Sequence, residues 1–214
     1  MGVDGKQVKK MITSIAAVIG ENKDYLTKLD AAIGDGDHGL NLDRGFSAVR
    51  EKLKYEDEGN IGSMLKDVGM TLISKVGGAS GPLYGTAFMK ASVSVKDKST
   101  VDINDFFMML KEALAGIKMR GKAQRGDKTM VDSIEPAVDS LKNSLDKKLS
   151  SVEALKRARD EAFRGMNDTK NISARKGRAS YLGKRSIGHQ DPGATSSYII
   201  LNTIYEEVKR LTSN

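Results

Sequence analysis

Residues 8–19, Val-Lys-Lys-Met-Ile-Thr-Ser-Ile-Ala-Ala-Val-Ile, place their large apolar side chains three or four positions apart. A half-buried strand would instead need strict alternation of apolar and polar residues. The observed spacing puts one apolar face on an α-helix and leaves the polar residues on the opposite side. This stretch therefore predicts an amphipathic helix whose buried face carries Val8, Met11, Ile12, Ile15 and Ile19.

The same helical period continues through the chain, whereas alternating patterns are almost absent and Ser92–Val95 is too short to predict a useful strand. We predict an all-α bundle of about eight amphipathic helices that forms a single domain over residues 1–214. The apolar residues of the further helices are Phe46, Val49 and Leu53; Ile61, Met64, Leu65, Val68 and Leu72; Phe106, Phe107, Leu110, Leu114 and Ile117; Ile134, Val138, Leu141 and Leu145; Val152, Leu155, Ala158 and Ala162; and Tyr198, Leu201, Tyr205 and Val208, with one more helix opening at Pro82.

The composition excludes several classes of protein. The 214 residues are 39% hydrophobic and 29% charged, as expected of a globular chain, and they contain no apolar run long enough to cross a membrane. We therefore expect a soluble, cytoplasmic protein. The absence of cysteine excludes disulfides and cysteine-ligated metal sites, and only two histidines are present. Any metal would have to be a hard cation held by carboxylate oxygens.

The net charge of +7 is concentrated between Lys156 and Arg185, a stretch with ten basic residues and three acidic ones. A nucleic-acid partner is disfavoured, because aromatic residues make up only 5% of the chain and tryptophan is absent, which leaves few platforms for base stacking. A solvated helix face, a phosphate-bearing ligand and an acidic protein partner all remain open for this stretch.

Glycines gather in four loops, at 34–39, 77–81, 121–126 and 188–193, where ordinary helix ends would need one each. In the first loop, Gly34, Gly36 and Gly39 match a dinucleotide-binding motif, but no strand precedes them and Asp35 and Asp37 would repel a pyrophosphate. We expect the helices to form the core and these loops to form the functional site.

Three carboxylates in and before the first loop predict a metal site. An extended backbone would point Asp35 and Asp37 the same way, and Asp30 would face them from the end of the preceding helix. A calcium-binding EF-hand is excluded because its required ligand positions fall on Gly39 and Phe46. Magnesium suits so few carboxylates, since water and phosphate complete its coordination. A surface turn rich in aspartate and glycine is the alternative.

The second loop, Gly77-Gly78-Ala79-Ser80-Gly81-Pro82, predicts an anion site. Small residues expose successive backbone N–H groups, Ser80 offers a hydroxyl, and Pro82 fits the first position of a helix, whose N-terminus is positive. A plain helix start is the alternative. Together with the carboxylates, this loop favours a site for a metal-bound polyphosphate.

Four segments of the sequence resemble the signatures of the nucleotide-binding L subunit of dihydroxyacetone kinases. They are Gly34–Gly39, Gly77–Gly81, Gly126-Asp-Lys-Thr-Met-Val-Asp132 and the long block from Gly177 to Ser196. The resemblance runs in order over nearly the whole chain. It implies a closed barrel of eight antiparallel helices, with a nucleotide and two Mg²⁺ in the loops at one end.

The resemblance also implies roles for individual residues. It places magnesium on Asp30, Asp35 and Asp37, and it gives Arg178 a catalytic role over the nucleotide. The other residues that it implies around the nucleotide are His38, Asn41, Ala79, Ser80, Gly121, Thr129, Met130, Asp191, Pro192 and Gly193.

The function implied is that of an ADP-binding kinase subunit. Its ADP would be phosphorylated in place by the M subunit of a phosphotransferase system, with phosphoenolpyruvate as the ultimate donor, and the phosphoryl group would pass to dihydroxyacetone bound on the K subunit. The absence of a K module after the last helix favours this form. The alternatives are an ATP-binding subunit of another keto-sugar kinase and a protein that reports its nucleotide state to a transcription regulator.

Overall fold

The computed structural model describes residues 2–213 and consists almost entirely of helices. Two 3₁₀ helices, Thr169–Asn171 and Arg178–Ser186, lie in the connection before the last α-helix. The strands β1 (Val3–Asp4) and β2 (Thr100–Val101) pair antiparallel. The nine α-helices are α1 (Gly5–Glu21), α2 (Lys23–Ile33), α3 (His38–Leu53), α4 (Ile61–Lys75), α5 (Ser80–Ser94), α6 (Ile103–Gly121), α7 (Val131–Asp146), α8 (Ser151–Asp168) and α9 (Pro192–Thr212).

Eight of these helices form a ring. Helices α1 and α3 to α9 each pack against the next helix in this order, and the contact between α9 and α1 closes the ring. Ser14 on α1 donates a hydrogen bond to Glu207 near the end of α9 (2.7 Å), whereas Gln190 just before α9 donates to Tyr25 at the start of α2 (3.3 Å). The first and last helices therefore run antiparallel. The predicted all-α fold is confirmed.

Helix α2 is the one α-helix of the described chain that is not part of the ring of eight. The spacing of apolar residues did not predict it. It packs against α3 and α9 and buries only Leu26 and Ile33, so its apolar face is too narrow to stand out. The predicted start of a helix at Pro82 is wrong by two residues, because α5 begins at Ser80 and Pro82 is its third residue. Proline is tolerated there because the first N–H groups of a helix have no partner inside the helix.

The core lies inside the ring. Phe46 of α3 is fully buried and meets Phe88 of α5 edge to face, with 6.4 Å between the ring centroids. The interior holds an apolar cavity of about 180 Å³. The cavity is lined mainly by side chains of α1, α5, α6 and α9, among them Val8, Ile12, Ala87, Phe106, Leu110, Ile200 and Ile204.

Within the described residues, no helix is both long and apolar enough to span a membrane.

The two ends of the ring differ in how their helix N-termini are capped. Helices α1, α4, α6 and α8 begin at one end, and each receives a side-chain cap, from Asp4, Asn60, Asp102 and Ser150 respectively. Helices α3, α5, α7 and α9 begin at the other end. Within residues 2–213, three of these four have no side-chain cap, and only α9 has one, from Asp191. The first N–H of α3 is bound instead by Asp30, and that of α7 by Thr129. Within the described residues, the start of α5 is thus the helix N-terminus at this end whose first N–H groups have no side-chain acceptor.

The basic stretch does not form a single helix face. Its first part lies on α8, where Arg157 pairs with Glu153 (2.8 Å) and Arg164 pairs with Glu161 (2.6 Å). Its second part lies in the connection between α8 and α9, at the end of the ring that carries the uncapped helix N-termini. Only this second part is placed to affect a ligand at that end.

Candidate functional site

A cleft of about 170 Å³ opens at the end of the ring where the uncapped helices begin. All four predicted glycine-rich regions of the chain lie at this end, although the loop at 121–126 contributes no wall. The lining residues are Asp30, Ile33, Gly34, Asp35, Asp37, His38, Gly77, Gly78, Ala79, Ser80, Lys128, Thr129, Met130, Lys176, Gly177, Arg178, Ala179, Asp191, Pro192 and Gly193.

Three carboxylates converge on one side of the cleft. Asp30 lies in the last turn of α2, and one oxygen each from Asp30, Asp35 and Asp37 lies within 4.8 Å of the others. Asp30 accepts hydrogen bonds from the backbone N–H groups of Asp37 (2.9 Å) and His38 (3.1 Å). The loop is therefore folded around the Asp30 carboxylate, and this closeness is what the sequence predicted.

The backbone that achieves this convergence is not the extended one that we expected. Gly36 has a φ of +72°, a conformation that glycine adopts without strain. A Cβ atom on Gly34 would lie 2.1 Å from Oδ1 of Asp30, so only glycine allows the carboxylate to approach the chain so closely. A tight turn, rather than an extended segment, thus brings the three aspartates together.

The donor set fits a hard divalent cation. It consists of three carboxylates and no sulfur or imidazole ligand, and two of the three residues are only half-buried, which leaves room for water and phosphate oxygens. The guanidinium of Arg178 lies 3.0 Å from Asp35 and partly balances the negative charge. Such a cluster suits Mg²⁺ that shares its coordination with a polyphosphate.

A second wall of the cleft is formed by the start of α5 and the glycine loop before it. Gly78 has a φ of +64°, and the helix N-terminus at Ser80 has no side-chain cap within the described chain. Backbone N–H groups at such a position favour an anion. Gly81 does not need a positive φ, but a Cβ there would lie 2.2 Å from the carbonyl oxygen of Val76. A larger residue at position 81 would therefore push the start of α5 away from the preceding loop.

His38 connects this wall to the interior through a chain of hydrogen bonds. Its Nδ1 is 3.0 Å from the Ser80 hydroxyl, and its Nε2 is 2.9 Å from the Ser196 hydroxyl. Ser196 in turn is 2.7 Å from the hydroxyl of Tyr84, which also contacts Ser197 (2.9 Å). Burial lowers the pKa of His38 to about 4, against the opposing effect of Asp30 and Asp37. A neutral imidazole donates through one nitrogen and accepts through the other, and the two serine hydroxyls can serve as its partners because a hydroxyl does both.

The third and fourth walls come from the starts of α7 and α9. Asp132 accepts the backbone N–H groups of Gly126 (2.5 Å) and Thr129 (2.8 Å), and this turn holds Thr129 and Met130 in the cleft. Asp191 caps α9 by accepting the N–H of Ala194 (2.7 Å). Burial raises the pKa of Asp191 to about 7.

The structure brings most of the predicted residues into one cleft, with two exceptions. Asn41 lies behind the wall, where its side chain accepts a hydrogen bond from Arg44 and packs under Gly77. Gly121 ends α6 beside Leu83. Sequence reasoning missed Lys128, which lines the cleft from inside the motif Gly126–Asp132. The predicted residues that line the cleft are Asp30, Asp35, Asp37, His38, Ala79, Ser80, Thr129, Met130, Arg178, Asp191, Pro192 and Gly193.

The fold and the cleft together define an all-helical domain with an anion site and a carboxylate metal site side by side. The chain belongs to the DAK2 domain family, whose model matches residues 32–206.

Relatives of known name match most of its length. The chain is 45% identical to the ADP-binding subunit DhaL of the PEP-dependent dihydroxyacetone kinase of Escherichia coli K12, covering 95% of this chain and 97% of that one. It is 43% identical to the ADP-binding subunit DhaL of the PTS-dependent dihydroxyacetone kinase of Lactococcus lactis, covering 89% and 91%.

A solved structure has the same fold. It is the dihydroxyacetone kinase of C. freundii, crystallised in complex with AMP-PNP and Mg²⁺, and it gives a TM-score of 0.74 at 24% identity. The match covers 96% of this chain but 34% of that one, so this chain spans about a third of that longer protein.

The carboxylate cluster predicts a specific effect of Asp37→Asn. Nucleotide affinity in the presence of Mg²⁺ should fall at least about tenfold, since changes that merely disturb metal ligands already cost about 10–100-fold in metal affinity. The free energy of unfolding without metal should stay equal or rise, because one of three mutually repelling charges is gone. Calorimetric titration of ADP with Mg²⁺ and urea unfolding measure the two effects.

Asp139→Asn is the matched control, because Asp139 is exposed on α7 and pairs only loosely with Arg125 at 3.8 Å. It should leave both quantities unchanged. Unchanged ADP affinity in Asp37→Asn would show that this carboxylate holds no metal.

The environment of His38 predicts a pH effect. The folded protein keeps His38 neutral down to about pH 4, whereas the unfolded chain takes up a proton near the ordinary pKa of 6.5. The contribution of His38 to the free energy of unfolding should therefore decrease as the pH falls from about 6.5 towards 4, whereas the raised pKa of Asp191 contributes with the opposite sign over the same range. His38→Gln should remove the His38 contribution, so its free energy of unfolding should rise relative to that of the parent as the pH falls. In a His189→Gln background, where His38 is the one remaining histidine, its ¹⁵N chemical shifts should report a neutral ring at pH 6. A charged ring at that pH would contradict the argument.

Proposed function

We propose that this chain is the ADP-binding subunit of a phosphoenolpyruvate-dependent dihydroxyacetone kinase. The observation that carries the proposal is the cleft, which three converging carboxylates and the uncapped N-terminus of α5 line together. The names of two relatives, each above 40% identity over nearly the full length of both chains, support the substrate and the donor. The proposal includes the sequence-based expectation that the protein works in the cytoplasm.

In this proposal, Asp30, Asp35 and Asp37 hold two Mg²⁺, and the N-terminus of α5 receives the phosphates of ADP. The bound nucleotide would accept a phosphoryl group and hand it on, and the metal ions would neutralise the charge that develops during transfer. These two walls of the cleft suit this task, because one wall attracts cations and the other attracts anions.

The residues of this chain would act mainly by position and charge. Ser80 would donate a hydrogen bond to a phosphate oxygen, because its hydroxyl is aligned by neutral His38 behind it. Arg178, which already faces Asp35, would stabilise the negative charge spread over the transferred phosphoryl oxygens. Such preorganised charges act without rearrangement at the moment of transfer.

The remaining predicted residues would surround the nucleotide. We place Thr129 and Met130 beside the base, and Asp191, Pro192 and Gly193 along the rim at the start of α9. Ala79 would contribute its backbone N–H. Since Asn41 and Gly121 do not line the cleft, they would act indirectly, Asn41 by supporting Gly77 and Gly121 by ending α6.

Two protein partners belong to the proposal. The K subunit would carry dihydroxyacetone, together with the general base that removes its hydroxyl proton. The M subunit of the phosphotransferase system would rephosphorylate ADP in place. Both partners would have to approach the mouth of the cleft, since the phosphoryl group would lie there, beside the carboxylates and the start of α5.

The deciding experiment identifies the nucleotide and the donor. The protein is purified without added nucleotide, and mass spectrometry identifies what remains bound. Dihydroxyacetone phosphate formation is then measured with K and M subunits and phosphoenolpyruvate, with and without free ATP. Retained ADP and turnover without free ATP are expected. Turnover that requires free ATP and no M subunit would identify an ATP-dependent kinase subunit instead.

The basic residues near the cleft predict how a partner approaches. Lys184 and Arg185 are exposed in the stretch Arg178–Ser186, where a kink at Gly183 separates them from Arg178. Replacing both with Glu should raise the KM for the K or M subunit and flatten its dependence on salt, because long-range attraction raises association rates and is screened within about 8 Å at physiological ionic strength. Retention of ADP should barely change.

The control replaces Lys147 and Lys148, an exposed pair at the opposite end of the ring, with Glu. This variant has the same net charge as the first one but should keep the parent's KM and salt dependence. Equal KM values in all three proteins would leave the charges near the cleft without a role in docking.

A further inference from the structure

Lys128 is a buried lysine whose ammonium group is surrounded by carbonyl oxygens. The residue is 1% exposed. Its Nζ donates hydrogen bonds to the carbonyl oxygens of Thr169 (2.7 Å), Ser186 (2.6 Å) and His189 (2.5 Å), with Ile172 at 3.3 Å. An ammonium group has three protons, so these contacts account for all of them.

All four carbonyl oxygens belong to the connection between α8 and α9, residues 169–191, here called the Arg178 segment. This segment contributes Lys176 and Arg178 to the cleft wall. It is the longest connection between helices in the described chain, and its helical content is limited to two 3₁₀ helices. Its buried apolar contacts are few: Ala174 and Ala179 pack with Ile33 of α2. Polar contacts must therefore fix most of its conformation.

Lys128 is suited to this task because its ammonium group binds both ends of the Arg178 segment. Its carbonyl partners lie near both ends of the segment, where the N–H of Gly188 also donates to the carbonyl of Lys170 (2.7 Å). The preceding residue, Asp127, accepts the N–H of Arg175 (3.0 Å). The next residues, Thr129 and Met130, line the cleft directly. One turn thus contacts the nucleotide wall on one side and the Arg178 segment on the other.

The charge of Lys128 is costly to bury. Burial lowers the pKa of Lys128, since it penalises the charged form, while Asp191 and Asp132 oppose this effect. No carboxylate lies within ion-pair distance in the described residues, so the ammonium depends on the carbonyl oxygens for its stabilisation. A group this costly to bury is worth having where the geometry of backbone carbonyls must be fixed.

We propose that Lys128 is a positioning residue, whose ammonium group holds the Arg178 segment so that Arg178 faces Asp35 and the phosphates. The proposal rests on the function proposed above only in that the ligand of the cleft is ADP with Mg²⁺. Lys128 itself touches no reacting atom and acts through Arg178.

The test is a double-mutant cycle of Lys128→Met and Arg178→Ala, with the dissociation rate of ADP in Mg²⁺ and the kcat of phosphoryl transfer as readouts. Each single variant should release ADP roughly tenfold faster or more, the range expected when hydrogen bonds to a charged group are lost. The double variant should be no worse than Arg178→Ala alone, because Lys128 acts through that side chain. Additive effects would overturn the proposal.

Chemical rescue tests the ammonium itself. The chain has no cysteine, so Lys128→Cys can be aminoethylated at a single site while unfolded and then refolded, which restores an ammonium at nearly the length of lysine. This protein should regain the parent's ADP dissociation rate. The same variant alkylated with an uncharged ethyl group should not, and equal rates for the two would overturn the proposal.

Hydrogen exchange provides a readout that does not depend on ADP. Lys128→Met should lose protection in residues 169–191 and keep it in α1, α4 and α5. If the parent binds no ADP, the proposed function fails, and exchange still decides the role of Lys128. Unchanged protection of the segment, or loss of protection throughout the ring in both Lys128→Met and Lys128→Gln, would overturn it, because the lysine would then be dispensable or would support the whole fold.

Discussion

Three carboxylates held within 4.8 Å of one another are the constraint on which the rest of the site depends. Their mutual repulsion must be offset while the site still accepts a cation. Two backbone N–H groups on Asp30 and the guanidinium of Arg178 on Asp35 supply this compensation. Neither group closes off the cluster, because the first pair lies behind Asp30 and Arg178 is exposed. The three carboxylates can thus stay close together in the folded chain and remain accessible to a cation.

The direction of the helices supplies the complementary charge. Because neighbouring helices in the ring alternate in direction, every second N-terminus falls at the same end, and three of the four there have no side-chain cap in the described chain. The four N-termini at the other end are all capped by their own side chains. At the cleft end, the N–H groups at the start of α5 have no side-chain acceptor in the described chain, so a phosphate can satisfy them. One end of the ring thus satisfies its helix N-termini with its own side chains, and the other end keeps one for a ligand.

The sequence predicted the fold class and most of the cleft because both leave local signals. The apolar spacing at 8–19 and the aspartates beside glycines in Gly34–Gly39 follow directly from helix geometry and from metal chemistry. Helix α2 left too narrow an apolar face, and β1 and β2 are only two residues each. The role of Lys128 was invisible for a different reason. Its partners are carbonyl oxygens more than 40 residues away, and every residue has a carbonyl, so no pattern of side chains marks them.

The alternating direction of the helices also fixes where the chain enters and leaves the ring. Val3 pairs with Val101 at the capped end, and α9, which begins at the cleft, runs back to the same end and reaches Thr212 there. Any sequence attached before β1 or after α9 therefore emerges away from the cleft. The C. freundii kinase, of which this fold covers about a third, illustrates that the ring can be joined to further sequence. For work on the isolated chain, an affinity tag, a fluorophore or a surface tether at either terminus would leave the mouth of the cleft free.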